Sequence, residues 1–485
     1  MNSDAAKNET IQGTANRSTT PGSDNFKHYI SSQWADRPEE IPAPREQASY
    51  AAARRAQLSE MYPGKRLVIP AGSMKRRSND TFYEFRADSA FSWLTGWGSD
   101  SEPDSVLVME PTTTGHETTL YFRERAGRDS DEFYANSDIG EFWIGPRPSL
   151  AQVAGDLGIA TRHINELDKK DSEVTELPED LARDLSEMRL VKDEYEIAEM
   201  REAVASSIRG FMDIARVLPA IAGNKRGERM VEGAFASRAR LEGNGVGYGT
   251  IAASGAHACI LHWVNNDGVV NNGDLILIDA GVERDSYYTA DVTRTLPVDG
   301  AFTPIQRKVY EAVREAADAA FAIVKPGITF RDVHNTAMGV IAKKTAEWGL
   351  IPVTAEEALL PENGHHRRYM VHGTSHHLGI DVHDCSEARR EMYMDGVVKE
   401  GMIFTIEPGL YFQPDDLTVP EEYRGIGVRI EDDILVTATG AENLTVALPR
   451  TADDVEAWLS PFVSAAKAQK SAQIKADALA KKKLK

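Results

Sequence analysis

DLILIDAGVERDSYYTADVTRT, running from Asp274 to Thr295, decides the fold of the second half of this chain. Leu275, Ile276, Leu277 and Ile278 make an apolar run of strand length, and it delivers Asp279. Gly281 opens a reversal and a return strand delivers Asp291, so a hairpin would set the two carboxylates side by side. An aspartate at a strand end is ordinarily a turn-former or cap, and this pair alone does not define a metal site. Two later acids change that reading. In GMIFTIEPG the apolar strand from Met402 to Ile406 ends on Glu407, directly before Pro408 and Gly409, a poor place for a charge unless a cation neutralises it. In GVRIEDDILVT, alternation sets Val428 and Ile430 on one face and Arg429 and Glu431 on the other. Four acids carried into one site by apolar strands would repel one another and lose hydration. Two divalent ions would cancel that charge.

Histidines complete the set. HGTSHHLGIDVHD holds His372, His376, His377 and His383 within twelve residues, and CILHW adds His262. A single histidine is more often a satisfied polar residue than a ligand; five in such surroundings point to a site. Oxygen-rich ligation with one imidazole favours manganese and tolerates cobalt or zinc.

The rest of the chain frames this site. At 485 residues it exceeds one hydrophobic core, which predicts two domains plus tails. A net charge of −20, from 55 Lys and Arg against 75 Asp and Glu, argues against nucleic acid or an anionic membrane as partner. Cys259 and Cys385 are too few for a disulfide framework, and the N-terminus has no basic stretch leading into an apolar one, so the cytoplasm is the expected compartment. Residues 1–44, polar to about Asp24 and proline-rich from Pro38 to Pro44, are expected to be a disordered extension. The helical pattern EQASYAAARRAQLSEMYPG and the strand-like RLVIP, SVLVME and TTLYFR predict an α/β domain over 45–188. KDEYEIAEMREAVA, with Ile197, Met200 and Val204 on one helix face, opens a second domain over 189–460. The Ala/Lys-rich tail 461–485 reads as a frayed, exposed helix.

DAG and ADVTRT, HGTSHHLGIDVHD, TIEPGLYF and YRGIGVRIEDDILVT together resemble aminopeptidase P, the Xaa-Pro aminopeptidases of the pita-bread metallopeptidases. The likeness runs from about Arg77, in RSNDTFYEFRADSAFSWLTGW, to Leu444. It implies an α/β fold with a creatinase-like N-terminal domain and a pita-bread catalytic domain. The implied metal ligands are Asp279, Asp291, His376, Glu407 and Glu431, holding two divalent ions, manganese foremost. It implies His262, His372 and His383 around the substrate, Tyr411 and Arg429 lining the pocket, and Asp80 reaching a neighbouring subunit of a homodimer or homotetramer. Three departures stand out. The interval from Asp279 to Asp291 is one residue longer than in enterobacterial members, which predicts a bulge in the hairpin. His377 stands where tryptophan is common, and an arginine placed between VHD and GMIFT has two candidates, Arg389 and Arg390.

The implied reaction removes the residue ahead of a proline by a metal-activated hydroxide, with Glu407 as ligand and proton acceptor and His262 and His383 serving the oxyanion or leaving nitrogen. Prolidase, an Xaa-Pro dipeptidase, shares the ligand set, but HGTSHHLG with YRGIGVRIEDD is closer to aminopeptidase P. Methionine aminopeptidase lacks the large N-terminal domain. A non-catalytic peptide-binding protein of this fold would have lost ligands, and all five are present here.

Overall fold

The computed structural model describes residues 20–79 and 81–483, in two units, Met1–Leu181 and Ala182–Lys485. The first begins with a departure from expectation. Helix α1, Asp24–Ser31, is capped by Ser23, whose hydroxyl accepts the Phe26 N–H at 3.3 Å. Phe26 meets Tyr134 edge-on at 5.6 Å, Trp34 meets Phe133 at 5.7 Å, and Arg37 donates to the Ala126 carbonyl at 2.7 Å. The extension expected to be disordered to residue 44 is therefore structured from Asp24 onward. Composition averages away isolated aromatic anchors that a few specific contacts satisfy. Residues 1–19 of that extension lie outside the described part.

Beyond this arm come α2 (Gln47–Met61), β1 (Leu67–Pro70), α3 (Ser89–Thr95), β2 (Val106–Thr112), β3 (Gly115–Phe122), α4 (Leu150–Leu157) and β4 (Ala160–His163). The sheet order is β1-β2-β3-β4, with Leu67 opposite Met109 and Val106 opposite Tyr121 antiparallel, and Thr119 opposite Ala160 parallel. Asp88 caps α3 by accepting the N–H groups of Ala90 and Phe91.

The second unit repeats one scheme twice: two packed helices followed by antiparallel strands. Helices α5 (Glu194–Ile221) and α6 (Gly227–Glu242) precede β5 (Ile251–Ser254), β6 (Leu275–Asp279) and β7 (Thr293–Pro297). Gly210 lets the helix pair close, since a Cβ there would stand 2.6 Å from the Phe235 ring. Helices α7 (Pro304–Ile323) and α8 (Phe330–Glu347) precede β8 (Ile403–Ile406), β9 (Gly409–Tyr411), β10 (Gly427–Arg429), β11 (Asp432–Thr437) and β12 (Gly440–Asn443). The ladders are β7-β6-β5, β8-β11-β12 and β9-β10. This is the mixed α/β, pita-bread arrangement that the resemblance implied.

One continuous core runs through both repeats, with Ile276, Ile278, Val292, Phe404, Ile406, Val428 and Ile430 at most 1% exposed. The last helix, α9 (Ala452–Lys483), docks its first turns through buried Val455 and Leu459 and continues along the Ala/Lys-rich tail. Among the described residues no helix is long and apolar enough to cross a membrane.

Candidate active site

The β6–β7 hairpin sets the geometry. Thr293 lies opposite Asp279, Pro297 opposite Leu275, and further out Thr289 opposite Glu283. This single register puts Asp291 across from Gly281, two residues past Asp279 and hence on the same face. The expected bulge is absent from this ladder. At the tip, Tyr287 takes φ 72° and its N–H donates to the Arg284 carbonyl. Gly281 is obligatory: a Cβ would stand 1.6 Å from the Ala290 carbonyl oxygen. The Tyr248 hydroxyl sits between the two acids, 2.7 Å from Asp279 Oδ1 and 2.5 Å from Asp291 Oδ1.

Facing this hairpin, Glu407 follows β8 and Glu431 lies between β10 and β11. His376 Nε2 is 3.3 Å from Asp291 Oδ2, 3.6 Å from Glu407 Oε1 and 3.9 Å from Glu431 Oε1. Its Nδ1 is tied to the His377 carbonyl at 3.1 Å, which leaves Nε2 free to bind a metal ion. One ligand atom each from Asp291, His376 and Glu431 lies within 4.8 Å of the others. Thr293 Oγ1 donates to Glu431 Oε2 at 2.7 Å, and Arg294 Nη1 donates to the Glu431 carbonyl at 2.7 Å.

The electrostatics call for a cation. Burial, and then the neighbouring Asp279, raise the Asp291 carboxyl. Burial pushes Glu407 up to about 7. Burial, Asp291 and Glu407 hold Glu431 well above the usual carboxylate range. Burial works against the charged form of His376, yet Asp291 and Glu407 lift it to about 9. Asp433, fully buried behind them, accepts the Asp291 N–H on Oδ2 at 3.2 Å, while its Oδ1 has no hydrogen-bond partner among the described residues. Tyr248 has one proton for two carboxylates. Acids this crowded, with an imidazole nitrogen aimed among them, fit divalent metal.

A second chain of contacts lines the approach. Arg429, 3% exposed, donates to Asp279 Oδ2 at 2.5 Å, to the Tyr411 hydroxyl at 3.2 Å and to Thr293 Oγ1 at 3.1 Å. Tyr411 stands 2.7 Å from His372 Nε2, and His372 Nδ1 faces the Gly373 carbonyl at 2.6 Å. With Nδ1–H donating, Nε2 accepts from Tyr411, and burial with the nearby Arg429 depresses His372 to about 3, keeping it neutral. His383 packs edge-on against His376 at 4.5 Å. His262 lies on the connection between β5 and β6, exposed.

Several expectations need correction or completion. His377 turns into the core, 1% exposed and stacked on Phe330 at 4.6 Å, so it is a packing residue and not part of the site. Arg389 pairs with Glu187 and Arg390 with Asp395, both at the surface. Asp80 lies outside the described residues. Tyr248, Thr293 and Asp433 escaped the sequence reading. Tyr248 lies in glycine-rich GNGVGYGT with no acid or histidine beside it, and Asp433 follows an aspartate that pairs instead with Arg294 and Arg450.

Paired helices and antiparallel ladders that present a buried carboxylate and imidazole cluster define the pita-bread metallohydrolase class. Residues 198–438 match metallopeptidase family M24, and residues 50–180 match the aminopeptidase P N-terminal domain. Xaa-Pro aminopeptidase 1 of Streptomyces coelicolor is 50% identical over 464 residues, 91% of this chain and 93% of that protein. The Xaa-Pro aminopeptidase of Escherichia coli is 32% identical over 447 residues, 84% of this chain and 96% of that protein. The solved aminopeptidase PepP of Pseudomonas aeruginosa is similar at TM-score 0.75 and 32% identity, covering 88% of this chain and 100% of that one. The chain belongs to metallopeptidase family M24, in its aminopeptidase P branch.

Proposed function

We propose that the chain is a metal-dependent Xaa-Pro aminopeptidase, releasing the N-terminal residue of peptides whose second residue is proline. The observation that carries this is the convergence of Asp291, His376 and Glu431, with Glu407 beside them, on one buried point. Asp279, Asp291, His376, Glu407 and Glu431 would hold two divalent ions, and oxygen-rich ligation supports manganese. Once bound, such ions acidify a water and polarise the scissile carbonyl.

The chain's own residues supply the rest. A Glu407 carboxylate oxygen takes the proton of the attacking water. His262 and His383 stabilise charge on the carbonyl oxygen or hand a proton to the proline nitrogen. The acidic cluster attracts the substrate's α-amino group, which restricts cleavage to the first peptide bond. His372, held neutral between Tyr411 and Gly373, and Tyr411, fixed by Arg429, form a rigid wall suited to the proline ring, which has no N–H and a fixed φ.

Cys259 and Cys385, both free and buried, support a reducing cytoplasm, and a homodimer or homotetramer in which Asp80 crosses to a neighbour is to be tested by sedimentation of wild type and Asp80→Ala. The deciding assay is hydrolysis of Arg-Pro-Pro with and without chelator, followed by add-back of manganese, cobalt and zinc. Activity that survives full metal removal sinks the proposal. Cleavage of Ala-Pro but not Ala-Pro-Ala would instead point to a dipeptidase.

A further inference from the structure

Glu228, on α6, is fully buried, and its two oxygens accept four hydrogen bonds. Oε1 takes the Ser254 N–H at 2.8 Å and His257 Nδ1 at 2.8 Å. Oε2 takes Trp263 Nε1 at 2.9 Å and the Gly268 N–H at 2.6 Å. Every one of those donors lies between residues 254 and 268, the stretch that carries His262. The His257 and Trp263 rings also stack on each other at 3.9 Å, and a Cβ on Gly268 would come within 2.7 Å of the carboxylate. Asn266, itself fully buried, bonds the same stretch to the preceding strand through the Ala252 N–H at 3.0 Å and the Thr250 carbonyl at 2.8 Å. Between these anchors His262 is exposed, as are Ile260 and Val264. A histidine on an exposed loop has no fixed address of its own. Here both flanks of the loop converge on one carboxylate.

We propose that Glu228 is the positioning residue for His262: it holds the loop 254–268 so that this imidazole is presented from one fixed place to the reacting carbonyl. This rests on the aminopeptidase reading above for what His262 does, but the clamp itself is independent of it. Only a carboxylate suits the role. All four partners donate, so a glutamine of equal shape would turn its amide N–H₂ against two donors whichever way it is oriented. Misplacing a participating group by about 1 Å can cost about 10²-fold in rate, so the clamp need not touch substrate to matter.

The test compares wild type, Glu228→Gln, His262→Ala and the double variant on Arg-Pro-Pro with matched metal content, and follows amide hydrogen exchange in each. Glu228→Gln is expected to lower kcat/KM about 10²-fold, mainly through kcat, and the double variant to be no worse than His262→Ala alone, because residues acting as one unit are not additive. Exchange across 254–268 should rise while β6 and β7 keep their protection. Trp263→Phe, which deletes one donor and keeps the stacked ring, should give the same pattern more weakly if Glu228→Gln does not fold. Losses that multiply in the double variant, or unchanged exchange across 254–268, overturn the proposal. Wild type that cleaves no Xaa-Pro peptide would sink the proposed function, and the exchange data would still decide the clamp.

Discussion

Tyr248 has one proton to share between Asp279 and Asp291, so whichever oxygen it leaves unserved must be met by another proton or a cation. Tyr248→Phe keeps the ring and removes that tie, and is expected to weaken metal binding about 10- to 100-fold, the usual cost of losing a partner behind a ligand. Titration calorimetry showing unchanged affinity would mean the hydroxyl is idle. Glu407 differs, because it faces both His376 and His372, at 3.6 and 3.7 Å. Glu407→Ala should reduce kcat by about 10³-fold or more with the unfolding transition intact, and near-normal turnover by the metal-replete variant would remove Glu407 from the chemistry.

At the scale of the element, the β6–β7 hairpin keeps one register from Leu275 opposite Pro297 to Glu283 opposite Thr289. Gly281→Ala forces the strands apart at the Ala290 carbonyl, and a loss of about 3 kcal/mol is expected, measured by urea unfolding with its effect on metal content. The loop bearing His376 and His383 has its own anchor. Lys192 donates to Asp384 Oδ2 at 3.0 Å and Arg189 approaches Oδ1 at 3.2 Å, all three residues buried. Lys192→Met leaves Asp384 with a single cation in a dry site and should cost about 3 kcal/mol, breaking a buried pair being expensive. An unchanged urea midpoint would show that Arg189 alone suffices.

For the whole molecule, the cluster couples stability to both metal and pH. Asp291, Glu407, Glu431 and Asp433 have raised folded pKa values, and so does His376. Groups of that kind favour the folded state while protonated, and their contribution fades as pH rises through the folded value. The metal-free protein should therefore lose stability from its cluster as pH rises from 4.5 through about 7, the interval set by Glu407. Metal should reverse this, adding about 2.7 kcal/mol at a free concentration of 100 Kd. The gap in Tm between metal-loaded and metal-free protein is thus expected to widen from pH 5 to pH 8; a gap that narrows would count against a cation-dependent cluster.

The chain's own order of residues already determined that Asp279, Glu407 and Glu431 stand at or beside the ends of apolar strands, since apolar runs and alternation are legible in a strand's own sequence. It also determined two domains and a histidine-dense loop. Only the tertiary structure decided which histidine faces the acids and which, His377, packs against Phe330, because one residue's step along an extended chain reverses the direction of a side chain. It decided, too, that Tyr248 and Asp433 bond Asp279 and Asp291 from 31 and 142 residues away, and that Glu228 bonds the stretch carrying His262. Their roles rest on proximity across the core, which no local pattern of residues encodes.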